Sequence, residues 1–210
     1  MRTALVAVAI MTCVARVPVS AAEGHASRLP DLPDPPTDPI LKQAAQERAK
    51  TGAKVINLTL TTGHAPKIAR ATNVLAQTIR NGVETPRLVI ELAILRTAFV
   101  VGSAYELAAH KVLAKGCNYP QAKIDGVETW PKSADLFEPR ENALLAYVDQ
   151  MTHGGNVDDP TYDKFATFFP PREIVELTVT IGNYYGNGLL TKALRVKAEA
   201  DGRVSSQGKC

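Results

Sequence analysis

Apolar side chains recur every three or four positions along most of the chain after residue 65, which is the spacing of an α-helix. Two clear stripes follow Pro66 and Pro86: Ile68, Leu75 and Ile79, then Leu88, Leu92, Leu95 and Phe99. With proline at helix starts and glycine or asparagine at helix ends, the pattern predicts helices over residues 39–50, 66–81, 86–101, 104–115, 120–126, 139–152, 159–168 and 171–194. Residues 55–62 alternate weakly and are predicted as a short strand or a loop. No convincing pair of strands appears, so the predicted class is all-α.

The last predicted helix contains three glycines, at positions 182, 186 and 188. Each glycine inside a helix costs about 1 kcal/mol relative to alanine. We therefore expect this helix to be closely approached by a neighbouring helix or by another subunit.

The first 22 residues have the pattern of a secretory signal peptide. Met1-Arg2 is basic, Thr3–Ala15 carries no charge, and small residues follow at Val19–Ala22. The apolar run is too short for a membrane-spanning helix. An uncleaved anchor is the alternative, because Arg16 lies near the cleavage zone. We predict a secreted or periplasmic protein with no membrane span after cleavage.

The predicted organisation is a signal peptide over 1–22, a proline-rich arm over 23–37, one domain over 38–200 and a polar tail over 201–210. Cleavage would lower the formal net charge from +3 to +1, because only Arg2 and Arg16 are lost. The low net charge of the mature chain and its aromatic content of only 6% argue against a nucleic-acid partner. The mature chain keeps Cys117 and Cys210, which could pair in an oxidising compartment. Because Cys210 ends a polar tail, we expect both to be unpaired.

Candidate chemistry is concentrated between residues 91 and 110. Glu91 lies among apolar residues on a predicted buried helix, and Glu106 and His110 lie four residues apart on one face of the next helix. If the chain folds back at Gly102, Glu91 approaches His110. A carboxylate, an imidazole and the phenol of Tyr105 in an apolar setting are suited to proton transfer near neutral pH.

The same residues admit structural interpretations. Ser103-x-x-Glu106 matches a helix capping box. Glu106 and His110 could be an exposed helical pair, worth a few tenths of a kcal/mol. Glu91, Glu106 and His110 could also ligate a metal ion.

The segment resembles the carboxymuconolactone decarboxylase and alkylhydroperoxidase D-like family. In that family a Glu is followed twelve residues later by Cys-x-x-Cys-x-x-x-His; here Ser103 and Glu106 stand at the cysteine positions and His110 at the histidine position. The resemblance extends over about residues 38–197 through ELAILR at 91–96, Tyr105, RENALLAYVDQMT at 140–152 and GNYYGNGLLTKAL at 182–194.

This resemblance implies an all-α, alkylhydroperoxidase D-like bundle with a central helical hairpin, assembled as a trimer or hexamer. Because both motif cysteines are absent, the thiol-peroxidase mechanism is lost. The decarboxylase-like branch implies acid/base chemistry, possible without a cofactor or a metal, on a small carboxylated lactone or ring compound. Glu91, His110, Tyr105 and Glu106 would be the catalytic group.

Two further residues are candidate substrate contacts: Ser103, at the first motif position, and Arg96, whose guanidinium suits a substrate carboxylate. A structural ion pair is the other interpretation of Arg96. Tyr184 and Tyr185 are expected mainly as core or subunit contacts, although one of the two phenols could face the pocket. A non-catalytic exported binding protein that keeps the fold without its cysteines remains the alternative function.

Overall fold

The computed structural model describes residues 27–33, 36–51, 55–202, 204 and 210. The predicted signal peptide and most of the polar tail lie outside these residues. Within the described part, the regular structure is helical and contains no strand. The helices are α1 Pro39–Thr51, α2 Asn57–Thr62, α3 Pro66–Asn81, α4 Arg87–Val101, α5 Ala104–Gly116, α6 Gln121–Gly126, a 3₁₀ turn Ala134–Leu136, α7 Pro139–Thr152, α8 Asp159–Ala166 and α9 Pro171–Ala193.

Helix α4 is the centre of the bundle. It is apolar on nearly every side and packs against α5, α7 and α9. A helix that is apolar all round must be surrounded by other elements, and this one buries most of its length. The predicted all-α bundle with a central hairpin of α4 and α5 is therefore confirmed.

The hairpin turns at Gly102, which has a φ of +71°. Glycine adopts this left-handed conformation without the steric penalty of a Cβ atom. The expected close approach of α9 occurs at Gly188, where a Cβ atom would clash with Val101. It does not occur at Gly186, where a Cβ atom would meet nothing within 4 Å.

Residues 57–62 form helix α2, so the predicted strand or loop is wrong. The reason is long-range: the α2 N-terminus is held by groups distant in sequence. The Glu199 carboxylate accepts from the Asn57 backbone N–H at 2.6 Å, and the Tyr105 hydroxyl accepts from the Leu58 backbone N–H at 3.2 Å. These bonds satisfy donors that every helix start leaves open.

The two cysteines form a disulfide, so the expectation that they are unpaired is wrong. Cys117 is bonded to Cys210, 93 positions away in sequence. The chain after α9 turns back over α2, where the Lys197 carbonyl accepts from the Asn57 side-chain amide at 2.9 Å. The disulfide places Cys210 beside the end of α5, which the polar composition of the tail does not reveal.

The proline-rich arm also contacts the domain where it is described. The Arg28 backbone N–H donates to the Leu194 carbonyl at 3.1 Å, and the His64 ring is bonded to the Pro30 carbonyl at 2.9 Å. None of the helices in the described ranges combines the length and apolar character needed to span a bilayer.

Candidate active site

Glu91 is the innermost group of the site and is fully buried on α4. Its Oε2 lies 2.8 Å from His110 Nδ1, and its Oε1 forms an ion pair with Arg87 one helical turn earlier. Burial alone would raise the pKa of Glu91, but the charges and hydrogen bonds of His110 and Arg87 hold it below its usual range. Glu91 is therefore kept as a carboxylate.

His110 lies between two carboxyl groups. Its Nδ1 faces Glu91, and its Nε2 lies 3.6 Å from Glu106 Oε2. The Tyr184 ring meets the imidazole edge-on at a centroid distance of 4.8 Å. A carboxylate on Nδ1 fixes both the ring orientation and the tautomer, so Nε2 is the nitrogen that remains for chemistry.

Glu106 is buried on the outer side of His110. Its Oε1 has no hydrogen-bond partner among the described residues. Burial raises the pKa of Glu106, and the charge of Glu91 adds to this, while His110 and Arg80 oppose it. A buried carboxyl oxygen without a partner is costly, which is the situation expected where a ligand supplies the missing bond.

Only one of the two hydrogen bonds of the predicted capping box is present. The Ser103 hydroxyl accepts from the Glu106 backbone N–H at 3.2 Å and so caps α5. The Ser103 backbone N–H donates to the Ala98 carbonyl at 2.9 Å instead of to Glu106. The Glu106 carboxyl group lies beside His110.

A cavity of about 320 Å³ opens beside this group. Glu106, His110 and Tyr105 line it from α5, Tyr184 from α9 and Arg80 from α3. Further lining residues come from α1, α2, α3 and α9 and include Ile40, Leu41, Gln43, Ala44, Leu58, Thr59, Thr62, Ala69, Asn73, Asn187 and Leu190. The size and the few convergent polar groups are typical of a small-molecule site.

Three of the four predicted catalytic residues reach this cavity. Glu106, His110 and Tyr105 line it, whereas Glu91 lies behind the imidazole and does not. The Tyr105 hydroxyl donates to Glu199 Oε1 at 3.2 Å and accepts from the Leu58 backbone N–H. Burial raises the pKa of Tyr105, and the charges of Glu199 and Glu106 add to this. Its phenol thus links α5 to α2 and to the segment after α9 that contains Glu199.

The two predicted substrate contacts lie away from the cavity. Ser103 is buried in the α5 cap, and its hydroxyl is bonded to the Thr191 hydroxyl at 2.9 Å. Arg96 forms a bidentate pair with Asp149, with Nε–Oδ1 and Nη2–Oδ2 distances of 2.6 and 2.7 Å. Because its guanidinium is committed to a protein carboxylate, Arg96 is better described as the structural ion pair that the sequence left open.

Two cavity residues were not among the predicted site residues: Arg80, which the sequence analysis did not consider, and Tyr184, one of the two tyrosines for which a position facing the pocket was left open. The α9 stripe Leu177, Ile181 and Tyr184 has helical spacing, which separates Tyr184 from its neighbour Tyr185. That spacing indicates that the Tyr184 side chain is buried, but it does not show that the side chain lines a cavity. Arg80 lies in the last turn of α3 with no motif around it, and only the folded arrangement brings it near Glu106.

The metal-site alternative does not fit the geometry. In the described part of the chain, no three His, Cys, Asp or Glu side chains are arranged to hold a metal ion. The reason is that the imidazole stands between Glu91 and Glu106 and uses a different nitrogen toward each. The three groups therefore do not converge on one point.

The fold is shared with solved proteins of the alkylhydroperoxidase AhpD type. No family model matches the chain, and no curated protein matches it significantly. A peroxidase-related protein from Silicibacter sp. TM1040 superposes with a TM-score of 0.71, at 15% identity, over 83% of this chain and 93% of that one. An AhpD-core, peroxidase-related protein from Ralstonia eutropha JMP134 gives 0.68, at 18% identity, over 87% and 100%.

A third similar structure carries a ligand. It is a variant of the debrominase Bmp8 in complex with 2,3,4-tribromopyrrole, with a TM-score of 0.64, 18% identity, and coverage of 87% of this chain and 96% of that one. At such identities the likeness establishes the alkylhydroperoxidase D-like fold, as the resemblance implied.

Proposed function

We propose that this protein is an enzyme that performs thiol-independent acid/base chemistry on a small carboxylated lactone or related ring compound. The observation that carries the proposal is the buried series Glu91–His110–Glu106, which ends at a cavity in a carboxyl oxygen without a hydrogen bond. The reaction is proton removal or delivery next to a carbonyl group, and loss of CO₂ from a carboxylated substrate uses the same machinery.

Each residue of the series has a distinct role. His110 Nε2 takes or returns the proton as the general base. Glu91 acts through His110: it holds the tautomer and stabilises the imidazolium when it forms. Glu106, kept protonated to higher pH by burial, supplies the acid. Glu91 is thus a positioning residue and not the direct proton carrier that the sequence suggested.

The motif positions carry no cysteine, so the site lacks a thiol for peroxidase chemistry. Ser103 and Glu106 occupy the motif positions, and Cys117 and Cys210 are joined to each other. We expect negligible dithiol-dependent peroxide turnover. Efficient turnover that Cys117→Ser abolishes would contradict this.

Arg80 and the cavity volume support the substrate class. Arg80 borders the cavity and lies close enough to Glu106 to affect its titration. A positive charge beside the cavity favours an anionic ligand through its field, without requiring a direct pair with Arg80. A volume of about 320 Å³ suits a molecule of one or two rings.

Export and self-association are parts of the same proposal. A disulfide is typical of oxidising compartments, which supports a secreted or periplasmic location together with the predicted signal peptide. Exposed apolar side chains on α9, including Val175, Val179 and Leu189, support assembly into a trimer or hexamer. Light scattering and the intact mass of the native protein test these two statements.

The enzyme proposal is tested by proton exchange and product release. A panel of small carboxylated lactones and cyclic keto acids is incubated with the protein in D₂O, and NMR follows loss of C–H signals and release of CO₂. We expect turnover by the wild type, a loss of about 100-fold in His110→Gln, and no change in the control His153→Gln. His153 is exposed at the end of α7 and is bonded only to its own helix.

The competing function is the non-catalytic binding protein. Binding of a panel member by the wild type, without exchange or release, would support that function and contradict the enzyme. Equal turnover by folded His110→Gln and wild type would remove the imidazole from the mechanism.

A further inference from the structure

Tyr184 is a cavity residue to which the acid/base series assigns no role. Its side chain is almost completely buried, and its ring packs edge-on against His110. Among the described residues no group is hydrogen-bonded to its hydroxyl. Buried tyrosines ordinarily have such a partner. Tyr184 lines the same cavity as Glu106, whose Oε1 has no hydrogen-bond partner among the described residues.

We propose that Tyr184 is a further catalytic residue, and that its hydroxyl and the Glu106 carboxyl group together bind the carbonyl oxygen of the substrate and hold it as it becomes an enolate. This inference rests on the proposed function and adds the group that receives the negative charge. The ligand class is then specific: a small ring compound whose carbonyl oxygen becomes anionic during the reaction.

The electron movement is balanced by these groups. The C–H bond next to the carbonyl breaks, and its proton goes to His110 Nε2. The electron pair forms the C=C bond of the enolate while the carbonyl π pair moves onto oxygen. The two O–H donors stabilise that oxygen. If the substrate loses CO₂ instead, the C–CO₂ bond breaks and its electron pair follows the same path.

Two neutral donors suit this task. Burial raises the pKa of both Tyr184 and Glu106, so each keeps its proton to higher pH than it would in water. Donors aimed at the position of a developing charge in a dry site are among the strongest contributions to catalysis. Arg80 at the cavity wall adds a positive field.

Phenolate binding tests the inference without the natural substrate, because a phenolate oxygen resembles an enolate oxygen. The probe is 4-nitrophenol, whose absorbance reports its ionisation in the site, and nitrobenzene is the matched ligand without the oxygen. We expect the wild type to prefer the phenolate. Tyr184→Phe should weaken phenolate binding by about 10- to 100-fold, the scale of a lost hydrogen bond to a charged group, and leave nitrobenzene binding unchanged.

The chain supplies a control at the next position. Tyr185 is only partly buried and does not line the cavity, so Tyr185→Phe should bind both ligands as the wild type does. Glu106→Leu should weaken phenolate binding, and Glu106→Gln, whose amide still donates, should recover part of it. This recovery separates a donor role from a purely structural one.

The outcomes separate this inference from the proposed function. If Tyr184→Phe binds 4-nitrophenolate as the wild type does while His110→Gln loses turnover, the role of Tyr184 is overturned and the acid/base proposal stands. If phenolate binding depends on Tyr184 but no member of the substrate panel turns over, the oxyanion site stands and the proposed enzyme fails.

Discussion

Helix α4 buries three charged residues: Arg87, Glu91 and Arg96. Glu91 and Arg96 lie about one and a half turns apart, and their surroundings differ. Arg96 makes a bidentate pair with Asp149, and its third nitrogen donates to the Val127 carbonyl at 2.6 Å. The rings of Phe99 and Trp130 lie against it at 5.4 and 5.2 Å. Each of the three guanidinium nitrogens therefore donates a hydrogen bond within the protein.

The Glu91 side of the helix is organised differently. There the chain of contacts passes through His110 to Glu106 and stops at an oxygen without a partner beside the cavity. Both regions are buried and charged, so burial alone does not identify the functional one. The distinguishing property is whether the polar groups are satisfied: complete pairing is typical of structure, and an open group at a cavity is typical of a site.

The largest expected effect is on stability, at Arg96. Arg96→Met leaves Asp149 and the Val127 carbonyl without their partner, and breaking a buried pair costs about 3–5 kcal/mol. Because Asp149 is partly exposed, we expect the lower end of this range in urea unfolding. The control Arg172→Met removes exposed ion pairs and should change stability by less than about 1 kcal/mol. If Arg96→Met also lost less than about 1 kcal/mol of stability, the pair between Arg96 and Asp149 would not be structural.

The next effect is on turnover, at the other end of the comparison. Glu91→Gln and His110→Ala should each lower turnover by about 100-fold or more. His110→Ala removes the general base, and Glu91→Gln removes the carboxylate that orients it. The double variant should lose little more than either alone, since the two act as a unit. Steady-state kinetics and circular dichroism on the folded variants check this. Additive losses would show that the residues act separately.

A smaller effect is expected in the dependence of stability on pH. The pKa of Glu91 is lowered on folding, so its contribution is present above about 4.5 and is lost as the pH falls through the folded value. The pKa of Glu106 is raised, so the folded state binds the extra proton and stability declines as the pH rises above about 4.5 toward the folded value. Glu91→Gln should remove the first slope and Glu106→Gln the second. Unfolding free energies of the wild type and both variants, measured from pH 3 to 8, cover the range in which carboxyl groups titrate. The account is contradicted if both variants change the pH dependence of stability over the same part of this range.

The smallest effect is expected at Ser103, which the sequence had offered as a substrate contact. Ser103→Ala removes the α5 cap and the bond to Thr191, and loss of a cap costs about 1 kcal/mol. Turnover per folded molecule should not change. A drop of 10-fold or more in turnover, with stability unaltered, would return Ser103 to the active site.

The sequence predicted the fold well because its signals are local. The signals are proline at helix starts, glycine at helix ends and the apolar residues of α4, and each depends only on neighbouring residues. Gly102 likewise indicated the chain reversal that brings α4 and α5 together. Helix α2 was missed because its N-terminus depends on Glu199 and Tyr105, which are distant in sequence.

The site was predicted only in part for a related reason. Helical spacing placed Glu106 and His110 on one face, but it does not show which polar groups are satisfied. Arg96 and Arg80 look alike in sequence, and only the fold shows that one faces Asp149 and the other the cavity. The Cys117–Cys210 bond likewise joins positions 93 apart in sequence, which no local pattern indicates.

Titration of the individual glutamates by carbon-13 NMR, with Glu91→Gln and Glu106→Gln used to assign the resonances, measures the difference between the two carboxyl groups directly. We predict that the Glu106 carboxyl group titrates above 4.5 and Glu91 below it. A midpoint for Glu106 below 4.5, close to that of Glu91, would mean that Glu106 is paired and satisfied like the Arg96 cluster, and would contradict its assignment as the open acid of the site.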